Sequence, residues 1–346
     1  MLKKYSLEEI IYGFIFLAFH LCVEVISYMV FFIRFDSFVA TFLIILYDFF
    51  AFFPQLIIGE WFNKNKNLNI GYIGVILFLI SILTINFESN YVYALSIFFL
   101  AIGNAMLHVT GAIATASTSS DKILPSALFV SGGSFGIIIG RYLAEIKFNT
   151  FILFIPLIVI LFICMFTKNK WCKTDVKYID LNVINKKFSP LLIILISLTV
   201  IMIRSYMGFV IDVKWKTEYY HTILLFISLG LGKALGGFIC DKFGYRVTVL
   251  VSTLCSTPFL FIGRNHMLPS LFGLMLFSMT MSVTYAMILS VIKKNPGVAF
   301  GITTIGLFLG VIPVLFVKTS SLTNTVLIII LSIISFVLLN LTICDN

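Results

Sequence analysis

The sequence predicts an all-α membrane protein of about twelve transmembrane helices in two groups of six. Three observations support this fold class. The 346-residue chain is 60% hydrophobic and 11% charged, whereas a soluble domain carries about 25% charged residues. The apolar residues form blocks long enough to cross a bilayer. The connections between blocks are short, apart from one polar stretch near the middle of the chain.

Each apolar block is close to the ~20 residues that span a ~30 Å hydrocarbon core. The first block follows a start that is basic and then acidic, and no small-residue cleavage site follows it. We therefore expect a retained first helix rather than a signal peptide. The predicted spans are 10–33, 37–58, 69–86, 91–115, 124–146, 150–167, 188–212, 219–240, 246–263, 267–292, 298–317 and 322–343.

The polar stretch divides the chain into an N-terminal half (1–167), a central cytoplasmic loop (168–187) and a C-terminal half (188–346). Basic residues concentrate in alternate connections, and the positive-inside rule then places both termini in the cytoplasm. The net charge of +9 would suggest nucleic acid in a soluble protein. Because the basic residues lie between apolar blocks, we expect a lipid bilayer as partner, no nucleic acid, and a bacterial plasma membrane as the location.

The turn after the eighth block carries a spaced motif, G-x-x-x-D-x-x-G-x-R, at Gly237, Asp241, Gly244 and Arg246. It resembles the signature loop of the major facilitator superfamily, in sequence and in its place after the second helix of a half. The resemblance implies the major facilitator fold and a role as a conformational latch. Asp241 could pair with a base or a helix N-terminus, and Gly244 permits a tight turn.

The corresponding turn of the first half keeps Gly59 and Lys64 but has Asn63 where an acid is expected. We therefore expect a weaker latch there.

Segments 102–111 and 127–140 resemble helices four and five of fosmidomycin-resistance-type efflux proteins, which implies proton-coupled efflux of a small organic compound. Arg141 stands where that branch has the proline of an antiporter motif. Gly132, Gly136 and Gly140 form a small-xxx-small face, for which we expect close helix packing.

Ionisable residues inside membrane helices are expensive and are functional candidates by default. Buried acids can carry protons, histidine titrates near neutrality, and buried bases can hold substrate. Internal ion pairs are the alternative interpretation. The proton-carrier candidates are Glu24, Asp48 and His108, with His20 as a further titratable group; the candidate bases are Arg141, Arg204 and Lys233; Asp212 is expected at the interface.

We expect a monomeric secondary active transporter with a small-molecule substrate, protons as coupling ion, and no cofactor or metal. Organic-anion uptake or exchange is the alternative, because three buried bases would suit it equally. A nucleotide-driven pump is disfavoured because no phosphate-binding loop occurs. A membrane-embedded enzyme or a channel is disfavoured because neither a catalytic motif nor a pore-lining repeat is present.

Overall fold

The computed structural model describes residues 5–33, 37–65, 69–171, 179–317 and 319–344. Twelve long helices fill these ranges, as the sequence predicts. They are α1 (Leu7–Phe32), α2 (Ser37–Lys64), α3 (Ile70–Thr84), α4 (Asn90–Ala116), α5 (Leu124–Glu145), α6 (Phe154–Trp171), α7 (Pro190–Val210), α8 (Tyr219–Phe243), α9 (Tyr245–Gly263), α10 (Met267–Val291), α11 (Pro296–Phe316) and α12 (Ser321–Thr342).

Eleven helices of the described ranges are long and apolar enough to cross a membrane. The twelfth, α3, is also apolar but has 15 residues, fewer than the predicted span of 69–86. The chain is therefore a multi-pass membrane protein.

Two helices are interrupted. The α9 helix contains a π-helical turn at Val251–Cys255, and α10 breaks at Met279 between two shorter helices. Such interruptions release backbone carbonyl groups from the i→i−4 pattern, and π-turns often lie at functional sites. The freed carbonyls here bind a buried arginine, which is described below.

The contacts among α1–α6 recur among α7–α12. The pairs α1–α5, α3–α4 and α2–α4 are matched, six helices later, by α7–α11, α9–α10 and α8–α10. Between the two groups, α5 packs against α8 and α2 against α11, and these two pairs are again related by a shift of six. The core between the groups is thus lined by α2, α5, α8 and α11.

One end of the bundle, here called the basic face, carries Lys64, Lys122, Lys242 and Lys293. The other end is the opposite face. On the basic face, Lys122 Nζ lies 2.9 Å from Glu9 Oε2, and the same Glu9 closes a capping box with Ser6 at the start of α1. This ion pair therefore ties the start of α1 to the connection before α5.

The described part of the central segment packs on the basic face, although the sequence suggested a polar loop. Ile179, Leu181 and Val183 are buried, and Ile184 forms an antiparallel bridge with Ile343 at the other end of the chain. The alternation of apolar and polar residues gives this segment one buried side. The α6 helix also continues to Trp171, past the predicted boundary at 167.

Candidate functional site

A cavity of about 610 Å³ of empty space lies between the two groups of helices. Both groups contribute to its wall, and its lining combines titratable side chains with aromatic and aliphatic ones. The titratable residues in the wall are His20, Glu24, Tyr28, Tyr47, Asp48, His108 and Lys233. Four of the six predicted substrate and proton-coupling residues thus face one space.

The cluster of His20, Glu24 and His108 joins α1 to α4, and all three residues are buried. The two imidazoles meet with Nε2 atoms 2.8 Å apart. Glu24 Oε1 lies 3.2 Å from His108 Nε2 and 3.6 Å from His20 Nε2. Two nitrogen lone-pair positions and a carboxylate oxygen therefore converge on one point.

The other ring nitrogens fix the protons of this cluster. His20 Nδ1 lies 2.7 Å from the carbonyl of Phe129, and His108 Nδ1 lies 2.9 Å from the carbonyl of Asn104. A carbonyl oxygen can only accept, so both Nδ1 atoms donate. In the neutral imidazoles both Nε2 atoms are then unprotonated, and two lone pairs would face each other at 2.8 Å. One additional proton on the pair would resolve this contact, and the Glu24 carboxylate would compensate its charge.

A metal ion is the other cation that such a cluster could hold, because its three ligand atoms lie within 4.8 Å of one another. Bonds of about 2.0–2.1 Å to a tetrahedral Zn²⁺ would separate neighbouring ligand atoms by roughly 3.3 Å. The distances to Glu24 fit that spacing, but the Nε2–Nε2 distance of 2.8 Å is too short for it. The observed geometry therefore suits a shared proton better than a metal.

Neighbouring residues hold the cluster in place. Asn104 Nδ2 donates to Glu24 Oε1 at 3.1 Å and to Ser27 Oγ at 3.0 Å. Gly133 on α5 faces His20, and a Cβ atom at position 133 would lie 2.6 Å from His20 Cε1. The close approach of α5 to α1 at this glycine leaves room for one orientation of the imidazole.

Lys233 reaches the cavity from α8, in the other group of helices. Its Nζ donates to Ser134 Oγ at 2.9 Å, next in sequence to the glycine that faces His20. Asp48 enters the same cavity from α2. In the part of the chain that the structure describes, neither Lys233 nor Asp48 has an ion-pair partner. The alternative interpretation, an internal ion pair of Lys233 with Asp48 or Glu24, is therefore not observed.

Arg204 lines a neighbouring cavity of about 500 Å³ inside the second group of helices. Its Nη2 donates to the carbonyls of Ser252 at 2.8 Å and Phe277 at 2.5 Å, and its guanidinium carbon lies 3.4 Å from the centre of the Phe277 ring. The Ser252 carbonyl belongs to the π-turn of α9, and the Phe277 carbonyl lies two residues before the break in α10 at Met279. Arg204 therefore stabilises both interruptions.

Two predicted charges lie elsewhere. Arg141 stacks over the Phe32 ring at 5.0 Å and is absent from the lining of the central cavity. Asp212 pairs with Arg264 at 3.1 Å on the opposite face, where an interfacial position was predicted. Asp212 therefore pairs with a base in a connection and not with one of the three intramembrane bases.

The glycine stripe of α5 faces α1. Cβ atoms at Gly136 and Gly140 would lie 2.7 Å from Glu24 Cβ and 2.7 Å from the Val25 carbonyl, and one at Gly132 would contact the Leu17 carbonyl. The stripe thus brings α1 and α5 together within the first group of helices. Another side of α5, which includes Ser134, faces α8.

The latch motif joins the two groups on the basic face. Asp241 Oδ1 and Oδ2 accept from the backbone amides of Ile123 and Leu124, each at 3.0 Å, so the carboxylate caps the N-terminus of α5. Tyr5 also donates to Asp241, at 3.3 Å. Burial and the adjacent Asp241 raise the pKa of the Tyr5 phenol, which keeps it a donor. Gly237 packs against the backbone of Leu124.

The rest of the motif shapes the turn. Gly244 has φ 92° and ψ 162°, a backbone conformation that is essentially restricted to glycine. Arg246 is exposed and donates to the carbonyl of Ile343 at 3.3 Å. In the first group, Glu60 rather than Asn63 makes the matching contact, since its carboxylate accepts from Asn295 at the start of α11 at 3.1 Å.

The fold has known structural relatives. The crystal structure of a Major Facilitator Superfamily transporter, FucP, in the outward conformation superposes with a TM-score of 0.65 at 14% identity, over 96% of this chain and 99% of that chain. The chain has the major facilitator fold. The E. coli fucose:proton symporter FucP gives a TM-score of 0.66 at 10% identity, over 98% and 99% of the two chains. No protein-family model and no curated protein sequence matches the chain.

Sequence reasoning named His20 but left it out of the candidate site, and it missed Asn104, Ser134 and Tyr5. The spacing of His20 and Glu24, four residues apart on one helix, was an available signal because i and i+4 share a face. Asn104, Ser134 and Tyr5 gave no such signal in the sequence, since their partners are at least 77 positions away.

Proposed function

We propose that this protein is a secondary active transporter of the major facilitator superfamily, which moves a small organic solute across the membrane by alternating access. The observation that carries the proposal is the central cavity, which lies between the two groups of helices and contains charged residues from both. A solute bound there touches both groups, so their relative movement can expose it to either side.

The structure corresponds to one end of that cycle. Polar contacts between the groups close the basic face through Asp241 and through Glu60 with Asn295. The described segment that follows α6 adds to this closure, because Asp180 binds both the Ser120 carbonyl and Lys293. If the basic face is cytoplasmic, as the charge distribution predicts, this is an outward-type conformation.

The cluster of His20, Glu24 and His108 is the proposed proton site. Its geometry calls for one additional proton, and it faces the cavity through which a proton can enter. Lys233 connects it to the second group, because its hydrogen bond to Ser134 crosses the interface next to Gly133. When the groups move apart there, the positive charge of Lys233 leaves the neighbourhood, which changes the affinity of the cluster for a proton.

This proposal joins His20, Glu24 and His108 in one proton site, whereas the sequence pointed to Glu24, Asp48 and His108 as separate proton-carrier candidates. A bacterial plasma membrane, cytoplasmic termini, a monomeric state and the division into halves at 168–187 are parts of the same proposal. The efflux direction implied by the fosmidomycin-type resemblance stays a prediction, which transport measurements in oriented vesicles would decide.

The test follows the two faces of the bundle without requiring the solute. Spin labels are placed at Lys64 and Lys294 on the basic face, and in a second sample at Lys147 and Lys216 on the opposite face, in a background without native cysteines. Electron–electron distances are measured in proteoliposomes from acidic to alkaline pH. We expect reciprocal changes, in which one pair separates while the other approaches.

His108→Gln should abolish the pH dependence, because the amide cannot complete the shared-proton contact with His20. His266→Gln is the matched control, since His266 is exposed on a connection outside the cavity; it should respond like the wild type. Distances that never change with pH, or that lengthen on both faces together, would contradict the proposed function.

A further inference from the structure

Two cations that line the cavities, Lys233 and Arg204, form no ion pair in the described part of the chain. Lys233 lines both the 610 Å³ and the 500 Å³ cavities, and Arg204 lines the smaller one. Since Lys233, Met281 and Leu307 belong to both linings, the two spaces adjoin. Within the described residues, no carboxylate pairs with either cation.

Arg204 is the more unusual of the two. It is 8% exposed, and its Nε and Nη1 atoms have no hydrogen-bond partner in the described structure. The two carbonyls it binds neutralise no charge. A buried cation without a counter-ion carries a large desolvation penalty, which a paired anion reduces. Lys233 is similar, because among the described residues its ammonium group donates to the neutral Ser134.

We infer that the solute is a monoanionic organic acid, whose carboxylate binds Lys233 and lies in the field of Arg204. This inference rests on the proposed function and names the substrate class of the same cavity. The body of the solute would pack on the apolar lining, which includes Phe52, Met281 and Phe300.

The acids across the cavity limit the solute to one negative charge. Asp48 and Glu24 lie in the wall of the larger space, and a second carboxylate placed near them would be repelled. The shared proton compensates Glu24, so the anion meets an excess of positive charge at the Lys233 end. A dicarboxylate would extend from that end toward Asp48.

The experiment compares carboxylates with their own amides. The probes are benzoate with benzamide, phenylacetate with phenylacetamide, and hexanoate with hexanamide; benzamidinium and terephthalate supply a cation and a dianion. Binding to the purified full-length protein is measured by thermal stabilisation. We expect at least one carboxylate to bind roughly tenfold more tightly than its amide, the factor that about 1.4 kcal/mol of charge interaction provides.

Lys233→Gln should remove this preference, and Lys233→Arg should retain it. Lys216→Gln is the control, because Lys216 is exposed on the connection before α8. Arg204 is left intact, since its loss would remove two buried hydrogen bonds that connect α7 to α9 and α10. The inference is wrong if every amide binds as well as its acid, if terephthalate or benzamidinium binds most tightly, or if Lys233→Gln keeps the preference.

Exchange of the same radiolabelled probes in proteoliposomes separates the two proposals. If an amide or benzamidinium exchanges while the carboxylates do not, the transporter assignment stands and the anion inference fails. If carboxylates bind in a Lys233-dependent manner but no probe crosses the membrane, the anion site stands and the proposed function fails.

Discussion

Replacing Gly133 by alanine should weaken proton binding by the cluster of His20, Glu24 and His108 while leaving the fold intact. The added Cβ would lie 2.6 Å from His20 Cε1 and 2.7 Å from His20 Nε2, whereas ordinary contact begins at 3.4 Å. The imidazole must therefore retreat by about 0.8 Å. We expect a movement of that size to disrupt the 2.8 Å contact with His108, because hydrogen-bond lengths vary over only a few tenths of an ångström.

The loss in proton-binding free energy follows from the hydrogen bond between His20 and His108. A hydrogen bond that involves a charged group contributes about 1.5–3 kcal/mol, so losing the shared-proton contact should weaken proton binding by about 2 kcal/mol. Since one pH unit corresponds to about 1.4 kcal/mol, the midpoint of the pH-driven distance change should fall by roughly 1.5 pH units. The sign is downward, because a site that holds its proton less tightly fills at a higher proton concentration.

The assay is the spin-label titration described above, read on both faces. Gly208→Ala is the matched control: it is also a helical glycine, and a Cβ there would meet no atom within 4 Å. We expect its midpoint to match the wild type, and its stability to match or exceed it, because alanine favours helix over glycine. A Gly133→Ala midpoint within about 0.3 pH units of the wild type, well under the expected shift of roughly 1.5 pH units, would refute the role assigned to His20.

Asp241→Asn should shift the equilibrium toward the state with an open basic face and slow turnover, while the solute affinity stays within a few-fold of the wild type. The reason is that one of the two oxygens that accept from backbone amides is lost, at a cost of about 2 kcal/mol. Normal turnover with a large loss of affinity would contradict this. Gly244→Ala should lower the free energy of unfolding by about 1–3 kcal/mol, since alanine rarely adopts a conformation at positive φ and extended ψ; an unchanged melting temperature would contradict that reasoning. In a background without native cysteines, Lys186→Cys should resist a membrane-impermeant thiol reagent added outside intact cells and react after permeabilisation; ready labelling from outside would overturn the predicted topology.

The predicted fold was confirmed because its signal is local. A membrane helix satisfies its own backbone hydrogen bonds, so each apolar block of about 20 residues specifies a helix wherever it packs. The eighth and ninth blocks and the turn between them illustrate this: Tyr219–Phe243 and Tyr245–Gly263 are separated by one residue, Gly244, at a positive φ. The predicted helix ends were less accurate where a helix continues into polar residues. The α6 helix, for example, continues past the predicted end at residue 167.

The candidate residues were recognised by type, but their partners were not. An acid or a base inside an apolar block marks a site because its burial is expensive. Lys233 could have paired with Asp48 by sequence alone, yet it binds Ser134. The sequence presents Arg204 as a substrate-binding candidate, yet its guanidinium also donates hydrogen bonds to backbone carbonyls at the interruptions of α9 and α10. The sequence did not reveal these interruptions, because neither has a proline at its position.

The sequence by itself determined that this chain crosses a membrane as twelve helices, and that its signature loop lies between α8 and α9, because hydropathy and turn chemistry act between near neighbours. The tertiary structure alone decided that His20 and His108 share a contact and that α5 turns its glycines toward α1 and Ser134 toward Lys233. It also decided that Lys233 and Arg204 form no ion pair among the residues that the structure describes. The physical reason is that rotation of each helix about its axis is set by packing against other helices, and those surfaces lie far apart in sequence.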